Sequence, residues 1–283
     1  MANLRYLITG GSGQLARDLS QRLPESVARS REELSIADAE QVRRELSRSR
    51  PDVVFNCAAY NAVDRAEKEP EVAAAVNAHG ATNVARACRE VGARLIHFST
   101  NYVFDGMAAQ PYLEAAEPRP LSAYGRSKRE GEVGVLEVLP SALVIRSSGL
   151  FGHGGSAIKG GSLPDRLLAR ARAGDRLSVV GDQRLNPTFT GHLAEASITA
   201  AAAGSTGILH LVAGGCCSYH EFAVELLRVA GLDVPVELAA TAPGGTAAAR
   251  PRNGCLVSSR AEPLPSWQEG LRAYWETRSV SVP

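Results

Sequence analysis

The chain has 283 residues, of which 45% are hydrophobic and 22% charged, enough for one large core and a smaller lobe. Its 31 basic and 30 acidic residues leave a net charge of +1, so no overall field attracts nucleic acid or a membrane surface. No apolar run approaches the roughly 20 residues of a membrane helix, and the first residues lack the pattern of a secretion signal. We therefore expect a cytoplasmic protein.

Short apolar segments alternate with longer segments of helical period along the first half of the chain. Strands are predicted at residues 4–9, 53–56, 94–99 and 142–146, with a weaker one near 26–28. Helices are predicted at residues 14–22, 39–47, 72–91 and 124–138. This alternation favours an α/β fold with a doubly wound parallel sheet and helices on both faces.

The regular alternation of strand and helix patterns ends at about residue 150, and a smaller C-terminal lobe is predicted after it. Its strands are predicted at residues 177–180 and 208–212. Its helices are predicted at residues 163–173, 190–203, 219–230 and 267–276. Residues 152–161 and 239–249 are rich in small residues and predict loops, while 200–205 predicts a helix end. We expect two parts, residues 1–150 and 151–283, with some later segments returning to the first sheet.

The cysteines and histidines show no spacing typical of a disulfide framework or a metal site. The five cysteines are scattered and odd in number: Cys57, Cys88, Cys216, Cys217 and Cys255. We predict that they are reduced and mostly packing residues, and that no metal is bound.

The first predicted strand leads into Gly10-Gly11-Ser12-Gly13-Gln14-Leu15-Ala16, and a helix follows at once. Glycines at positions 10 and 13 let the backbone turn tightly and approach a pyrophosphate, and free N–H groups at the helix start bind the anion. This order of strand, loop and helix predicts a dinucleotide site. Its expected contacts are Gly10, Ser12, Gly13, Gln14 and Leu15.

The end of the second strand predicts which dinucleotide is bound. An acidic residue there would bind ribose hydroxyls, whereas a basic one accepts a 2′-phosphate. The chain has Ala28-Arg29-Ser30-Arg31, with acids only afterwards. NADPH is favoured, with Ser30 and Arg31 as contacts and NADH as the alternative. Arginines on an exposed loop with no ligand are the other interpretation.

Tyr124 and Lys128 lie four residues apart on a predicted helix, which places the phenol and the ammonium on one face. A buried cation beside a phenol favours the phenolate, so the tyrosine becomes a usable proton donor. The pair alone is weak, because the same spacing occurs by chance on solvated helices.

Taken together, these segments resemble the extended short-chain dehydrogenase/reductases, and within them the dTDP-4-dehydrorhamnose reductase group. The matching segments occur in family order and span nearly the whole chain. They are residues 10–16, 56–67, 99–106, 124–128, 182–183 with 187–188, 250–253 and 267–270.

The resemblance implies a Rossmann-like NADP(H)-binding domain at residues 1–150 and mainly a sugar-nucleotide lobe at 151–283. The implied reaction is reduction of the C4 ketone of a nucleotide-linked, dTDP-type 4-keto-6-deoxyhexose. Thr100, Tyr124 and Lys128 match the family's catalytic residues. Tyr124 would deliver the proton, Thr100 would bind the same oxygen, and Lys128 would bridge the nicotinamide ribose and lower the pKa of the tyrosine.

Further binding residues follow from the same resemblance. Ala58, Ala59 and Tyr60 match the segment that lines the nicotinamide half of the cofactor. Asn77 either supports the active site or is a polar helix residue satisfied by backbone. The expected substrate contacts are Val63, Asn101, Tyr102, Gly149, Arg250 and Asn253. Arg250 and Asn253 would face the nucleotide diphosphate, since a guanidinium grips phosphate oxygens in a fork, and Trp267 would anchor the last helix in the core.

The chain departs from the family pattern at three positions. Asn101 replaces an aspartate, Gly149 stands where many relatives have a tryptophan, and Gly254 replaces a serine. The first two changes are expected near the hexose and suggest an altered sugar preference. Of the acidic residues in the family's metal-bridged dimer only Asp18 has a match, so a monomer and a homodimer both remain open.

Two other functions share this fold. One is a sugar nucleotide epimerase or dehydratase; the acid pair of the dehydratases is absent, because Asn101 and Tyr102 follow Thr100. The other is a non-catalytic NADP-binding regulatory subunit, which fold alone does not exclude. An intact Thr100, Tyr124 and Lys128 argues against a purely binding role.

Overall fold

The computed structural model describes residues 4–154, 161–241 and 247–278. The strands are, in chain order, β1 (Tyr6–Thr9), β2 (Val27–Arg29), β3 (Val53–Asn56), β4 (Arg94–Thr100), β5 (Leu143–Ser147), β6 (Leu150–Phe151), β7 (Leu177–Val180), β8 (Arg184–Leu185), β9 (Thr188–Phe189), β10 (Gly207–His210), β11 (Ala213–Gly214), β12 (Cys217–Ser218), β13 (Val236–Ala239) and β14 (Leu264–Ser266). The α-helices are α1 (Gln14–Arg22), α2 (Ala39–Ser49), α3 (Val63–Ala66), α4 (Pro70–Ala74), α5 (Ala81–Val91), α6 (Ala123–Val138), α7 (Leu163–Arg172), α8 (Thr190–Ala202), α9 (Tyr219–Val229) and α10 (Trp267–Arg278).

Six strands form a parallel sheet in the order β2-β1-β3-β4-β5-β10. The central strands are apolar and buried on both faces, as expected when helices cover both sides. The predicted doubly wound α/β fold is confirmed. The chain leaves β1 for β2 on one side and then crosses to β3 on the other, so the loop after β1 opens at the topological switch point, where such folds bind ligands.

Two apolar layers cover the sheet. Helices α2, α5 and α6 pack one face through residues such as Val42, Val84 and Val135. Helices α1 and α8 pack the other face through Leu19 and Leu193. Helix α8 and strand β10 therefore belong to the large sheet and its helical layers, although they come after residue 150 in the chain.

The helix predicted at residues 72–91 is interrupted. The structure has α4, then a π-helical segment, Ala75–Gly80, and then α5. The buried Asn77 lies in the π-helical segment, and such segments occur mostly at functional sites. A 3.6-residue period does not reveal this wider turn.

The smaller lobe has its own apolar core, which contains Phe151, Phe222, Trp267 and Tyr274. Trp267 is buried beside Phe222, so its predicted role as a core anchor is confirmed. Short strand pairs β6–β9, β7–β13, β8–β12 and β11–β14 surround this core. The predicted loops at residues 152–161 and 239–249 lie partly outside the described residues.

The prediction that every cysteine is reduced is wrong for Cys216 and Cys255, which form a disulfide with Cα atoms 6.0 Å apart. They are 39 residues apart in the chain. They meet because strand β12 and residue Asn253 both pair with β8. Among the described residues, no helix has the length and apolar character needed to cross a membrane.

Candidate active site

The loop between β1 and α1 lies against the segment that follows β3. Gly10 has φ +69°, and a Cβ atom there would come within 2.8 Å of the Ala58 backbone. The Gly13 N–H donates to the Gly10 carbonyl at 2.8 Å, which closes a tight turn. Gly13 has no side chain to cap α1, so the first N–H groups of the helix are available to an anion.

The neighbouring loop residues differ in what they present. Ser12 is exposed, whereas Leu15 is buried in the core, so that only its backbone can face a ligand. The Gln14 side-chain amide donates to the Leu150 carbonyl at 3.2 Å and ties the helix start to β6. These contacts hold the loop open at the carboxyl edge of the sheet.

The two arginines at the end of β2, Arg29 within the strand and Arg31 after it, have different surroundings. The Arg29 guanidinium donates to Glu45 at 3.0 Å, and the Arg29 carbonyl accepts the Gly11 N–H at 2.7 Å. The Ser30 N–H donates to the Glu33 carboxylate at 2.8 Å. Arg31 is exposed. Arg29 is therefore committed to the fold, and Arg31 is the guanidinium that extends from this edge toward solvent.

Asn77 joins the loop after β3 to helix α6. Its Oδ1 accepts the Tyr60 N–H at 2.9 Å, and its Nδ2 donates to the Tyr60 carbonyl at 2.9 Å and to Ser127 Oγ at 3.0 Å. Ser127 Oγ donates in turn to the Tyr124 carbonyl at 2.9 Å. Asn77 is thus satisfied by backbone and also supports the helix that carries Tyr124, so the two predicted roles coincide. Ala58 and Ala59, before Tyr60, are half-buried and exposed.

Helix α6 brings Tyr124 beside the end of β4. Ser122 caps the helix by accepting the Gly125 N–H at 3.1 Å. A Cβ atom at Gly125 would come within 2.3 Å of the Tyr102 carbonyl, so glycine permits this close approach. The Tyr102 and Tyr124 rings meet edge to face with centroids 5.5 Å apart. Thr100 Oγ1 accepts the Tyr102 N–H at 3.2 Å and interacts with the Tyr124 hydroxyl.

The prediction that Lys128 lowers the pKa of Tyr124 is wrong in this structure. The Lys128 ammonium is buried and donates to the Phe98 carbonyl at 2.6 Å, so it faces the sheet. Burial raises the pKa of Tyr124 to about 12, and the hydrogen bond with Thr100 opposes this rise. A phenol of this pKa is fully protonated at neutral pH and remains far more acidic than an alcohol, so it can still donate a proton.

Burial also lowers the pKa of Lys128 to about 8, and Glu132, one helical turn away, opposes the fall. Glu132 is itself buried in a bidentate ion pair with Arg146, in which both bonds are 2.7 Å long. Sequence pattern gives no sign of this pair, because the residues that precede Arg146 on β5 are all apolar and predict only a buried strand. The pair fixes the one carboxylate that stabilises the Lys128 charge.

Arg250 forms a forked ion pair with Asp64. Its Nη1 and Nη2 donate to the two carboxylate oxygens at 3.0 and 2.6 Å. The Tyr102 and Tyr219 hydroxyls lie near the same guanidinium. Asp64 occurs within a matched segment but was assigned no role, and Tyr219 opens α9 without any motif that identifies it. Together these four side chains form a polar wall beside Tyr124.

Three predicted substrate residues have other surroundings. Both amide hydrogens of Asn253 are used by backbone, the Ala108 carbonyl at 2.8 Å and the Gln110 carbonyl at 3.1 Å, which points to a structural role. Gly149 has φ +56°, and a Cβ atom there would come within 2.5 Å of Leu185. A tryptophan at 149 would not fit this backbone, so Gly149 marks a turn. Val63 is half-buried at the start of α3.

Within the described ranges, no group of three or more His, Cys, Asp or Glu side chains is arranged to hold a metal ion. Asp18, the acid with a family match, is buried in α1 and lies 3.6 Å from Arg22.

A family described as the RmlD substrate binding domain matches residues 4–279. The chain belongs to this family. A dTDP-4-dehydrorhamnose reductase from Streptomyces griseus is 39% identical over 94% of this chain and 91% of its own. The spore coat polysaccharide biosynthesis protein SpsK from Bacillus subtilis is 35% identical over 97% of this chain and 98% of its own.

A solved structure of the same family has the same architecture. The dTDP-4-dehydrorhamnose reductase from Bacillus anthracis, in complex with NADP, superposes with a TM-score of 0.92. It is 34% identical to this chain, over 97% of this chain and 99% of its own. The predicted resemblance is therefore confirmed over nearly the whole chain.

Proposed function

We propose that this protein is an NADPH-dependent reductase of the C4 ketone of a dTDP-linked 4-keto-6-deoxyhexose. The observation that carries the proposal is the contact between Thr100 and Tyr124 at the end of β4, with Lys128 bonded to Phe98 on the same strand, in a family whose relatives are named as such reductases. The polar wall of Asp64, Tyr102, Tyr219 and Arg250 lies beside Tyr124 and would face the substrate.

The loop residues fit a dinucleotide. Gly10 lets the loop after β1 lie directly against the Ala58 backbone, where any Cβ atom would clash, and the uncapped start of α1 offers N–H groups for a pyrophosphate. Gly10, Ser12, Gly13, Gln14 and Leu15 would hold the diphosphate. Ser30 and Arg31 would hold the adenosine end, and the exposed Arg31 suits a 2′-phosphate. When bound, NADPH supplies the hydride.

The residues of the chain complete the reduction by moving one proton. Tyr124 gives its phenolic proton to the ketone oxygen as the C4–H bond forms, so that the carbonyl becomes a secondary alcohol. Thr100 turns its hydroxyl to donate to the same oxygen and stabilises the developing charge. Hydrogen bonds fix both residues. Thr100 Oγ1 accepts the Tyr102 N–H, and the Tyr124 carbonyl accepts from Ser127, which is bonded to Asn77.

Lys128 and the residues around it position the nicotinamide end. Its buried ammonium donates one hydrogen to Phe98 and would donate its remaining hydrogens to the ribose hydroxyls. Ala58, Ala59 and Tyr60 would line this half, with Asn77 fixing the Tyr60 backbone. Arg250, held by Asp64, would bind the substrate diphosphate.

The test measures both the absorbance of NADPH and the sugar product of the reaction. Purified protein is mixed with NADPH and dTDP-4-keto-6-deoxyglucose, and the loss of reduced nicotinamide is followed at neutral pH. We expect stoichiometric oxidation of NADPH and formation of a 6-deoxyhexose alcohol. Tyr124→Phe, which removes only the hydroxyl, should lower turnover by about 100-fold or more while NADPH still binds.

Each alternative function has a different outcome in the same assay. A regulatory subunit would bind NADPH with no turnover, and Tyr124→Phe would change nothing. An epimerase would convert the sugar without net consumption of NADPH. Sedimentation of the same sample distinguishes the monomer from the homodimer, both of which remain predictions.

A further inference from the structure

Asn101 and Gly254, two of the positions that depart from the family pattern, touch each other in the structure. Asn101 follows the catalytic strand β4, and Gly254 lies in the segment that contains Arg250. Asn101 Nδ2 donates to the Gly254 carbonyl at 3.0 Å. A Cβ atom at Gly254 would come within 2.3 Å of the same nitrogen. Any side chain at 254 therefore competes with the Asn101 amide for one space.

The orientation of the Asn101 amide follows from its partners. A carbonyl can only accept a hydrogen bond, so the amide nitrogen must face Gly254. The amide oxygen then faces Thr100, whose Oγ1 donates to it at 3.3 Å. Asn101 is 5% exposed, so solvent does not replace either bond. The Thr100 side chain is thus fixed by a residue anchored on the segment that contains Arg250, and its one proton must turn from Asn101 Oδ1 to the ketone oxygen when substrate binds.

We propose that Asn101 is a positioning residue that fixes the Thr100 side chain beside Tyr124, and that it can do so only because residue 254 is glycine. This inference rests on the proposed reduction, in which Thr100 binds the ketone oxygen. The backbone at 254 does not require glycine, because its φ lies outside the left-handed region. Space for the Asn101 amide is what requires it.

The chemistry of an aspartate at position 101 gives the sharpest test. Asn101→Asp keeps the size of the side chain but places a carboxyl between an acceptor, Gly254 O, and the Thr100 hydroxyl. Burial beside an acceptor favours the neutral acid, so its pKa rises above the usual value. The neutral acid donates to Gly254 as the amide does. The carboxylate instead repels that carbonyl, holds the Thr100 proton more tightly and opposes charge on the ketone oxygen.

We therefore expect kcat of Asn101→Asp to be near the wild-type value at low pH and to fall at least about tenfold as pH rises through the raised pKa, the rate equivalent of one lost hydrogen bond. Wild-type protein has no titrating group at position 101, so its kcat should not show this fall with rising pH. The dissociation constant for NADPH should stay unchanged. Ser148→Ala is the matched control, because Ser148 Oγ also donates to Gly254 O, at 3.2 Å, without contacting Thr100.

A double-mutant cycle tests the dependence on glycine. Gly254→Ala should lower kcat at least about tenfold with Asn101 present, and less than about twofold in the Asn101→Ala background, where the competing amide is gone. The remaining neighbour, the Arg184 carbonyl at 3.1 Å from the new Cβ, is common to both backgrounds. Equal losses in the two backgrounds, or a pH-independent kcat for Asn101→Asp, would overturn the proposal.

Failure of the proposed function has its own signature. If wild-type protein reduces no 4-keto sugar nucleotide, the proposed reduction is refuted. The contact between Asn101 and Gly254 can then still be tested by the free energy of unfolding. Asn101→Asp should then lose stability relative to wild type as pH rises from about 4, because its folded-state pKa lies above its unfolded value. A stability difference that does not change with pH would refute the Asn101 contact as well.

Discussion

Replacing Lys128 by methionine should stabilise the fold at neutral pH while lowering reductase turnover. Burial lowers the pKa of Lys128 from its usual 10.5 to about 8. Each tenfold change in a protonation equilibrium is worth about 1.36 kcal/mol, so keeping the ammonium charged at pH 7 costs the folded state about 3 kcal/mol. Methionine has a similar length and no charge. It loses the bond to the Phe98 carbonyl, worth about 1 kcal/mol, which leaves a gain of about 2 kcal/mol.

The gain should depend on pH with a definite sign. Between pH 8 and 10.5 the unfolded lysine is protonated and the folded one is not, so the wild-type fold becomes more stable as pH rises. The advantage of Lys128→Met should therefore shrink above pH 8, vanish a little below pH 10 and turn into a deficit of about 1 kcal/mol, the lost hydrogen bond, near pH 10.5. Urea unfolding at pH 7 and pH 10 measures the difference. Lys68→Met, at an exposed position, is the control and should show no such change.

The reasoning fails if Lys128→Met is less stable than wild type by the same amount at both pH values. That result would mean that hydrogen bonding and packing around the ammonium outweigh its desolvation. Turnover is measured on the same samples, because loss of the ammonium should impair cofactor positioning even where stability increases.

Three further predictions concern binding. Arg31→Ala should raise the KM for NADPH at least about tenfold more than the KM for NADH, and equal effects would separate Arg31 from the 2′-phosphate. Gly10→Ala should weaken NADPH binding at least about tenfold in a fluorescence titration, because the new Cβ atom meets backbone. Gly92→Ala is the control: Gly92 also has a positive φ but no neighbour within 4 Å, so its replacement should leave the affinity unchanged. Arg250→Lys keeps the charge but loses the fork, so KM for the sugar nucleotide should rise about tenfold with NADPH affinity constant; a similar rise for the exposed Arg252→Lys would argue against a specific phosphate contact.

Local pattern in the chain was enough to predict the sheet, the loop after β1 and the spacing of Tyr124 and Lys128, whereas Thr100 came from the family resemblance. Strand and helix periods depend on which faces are buried, and a strand, a glycine turn and a helix start must be consecutive to bind a pyrophosphate. These features depend on short stretches of sequence, so they could be predicted without knowledge of the tertiary contacts. The Trp267 anchor belongs to the same class.

Other features depend on residues that are distant in the chain. The Asp64–Arg250 fork, the Cys216–Cys255 bond and the Asn101–Gly254 contact each join segments whose proximity only the folded chain determines. The direction of the Tyr124 pKa belongs here too, because spacing on a helix predicted a neighbouring cation, whereas the fold turns Lys128 toward Phe98 and buries the phenol. Sequence determines which groups are available, and tertiary packing decides which of them lose water and which partner each one meets.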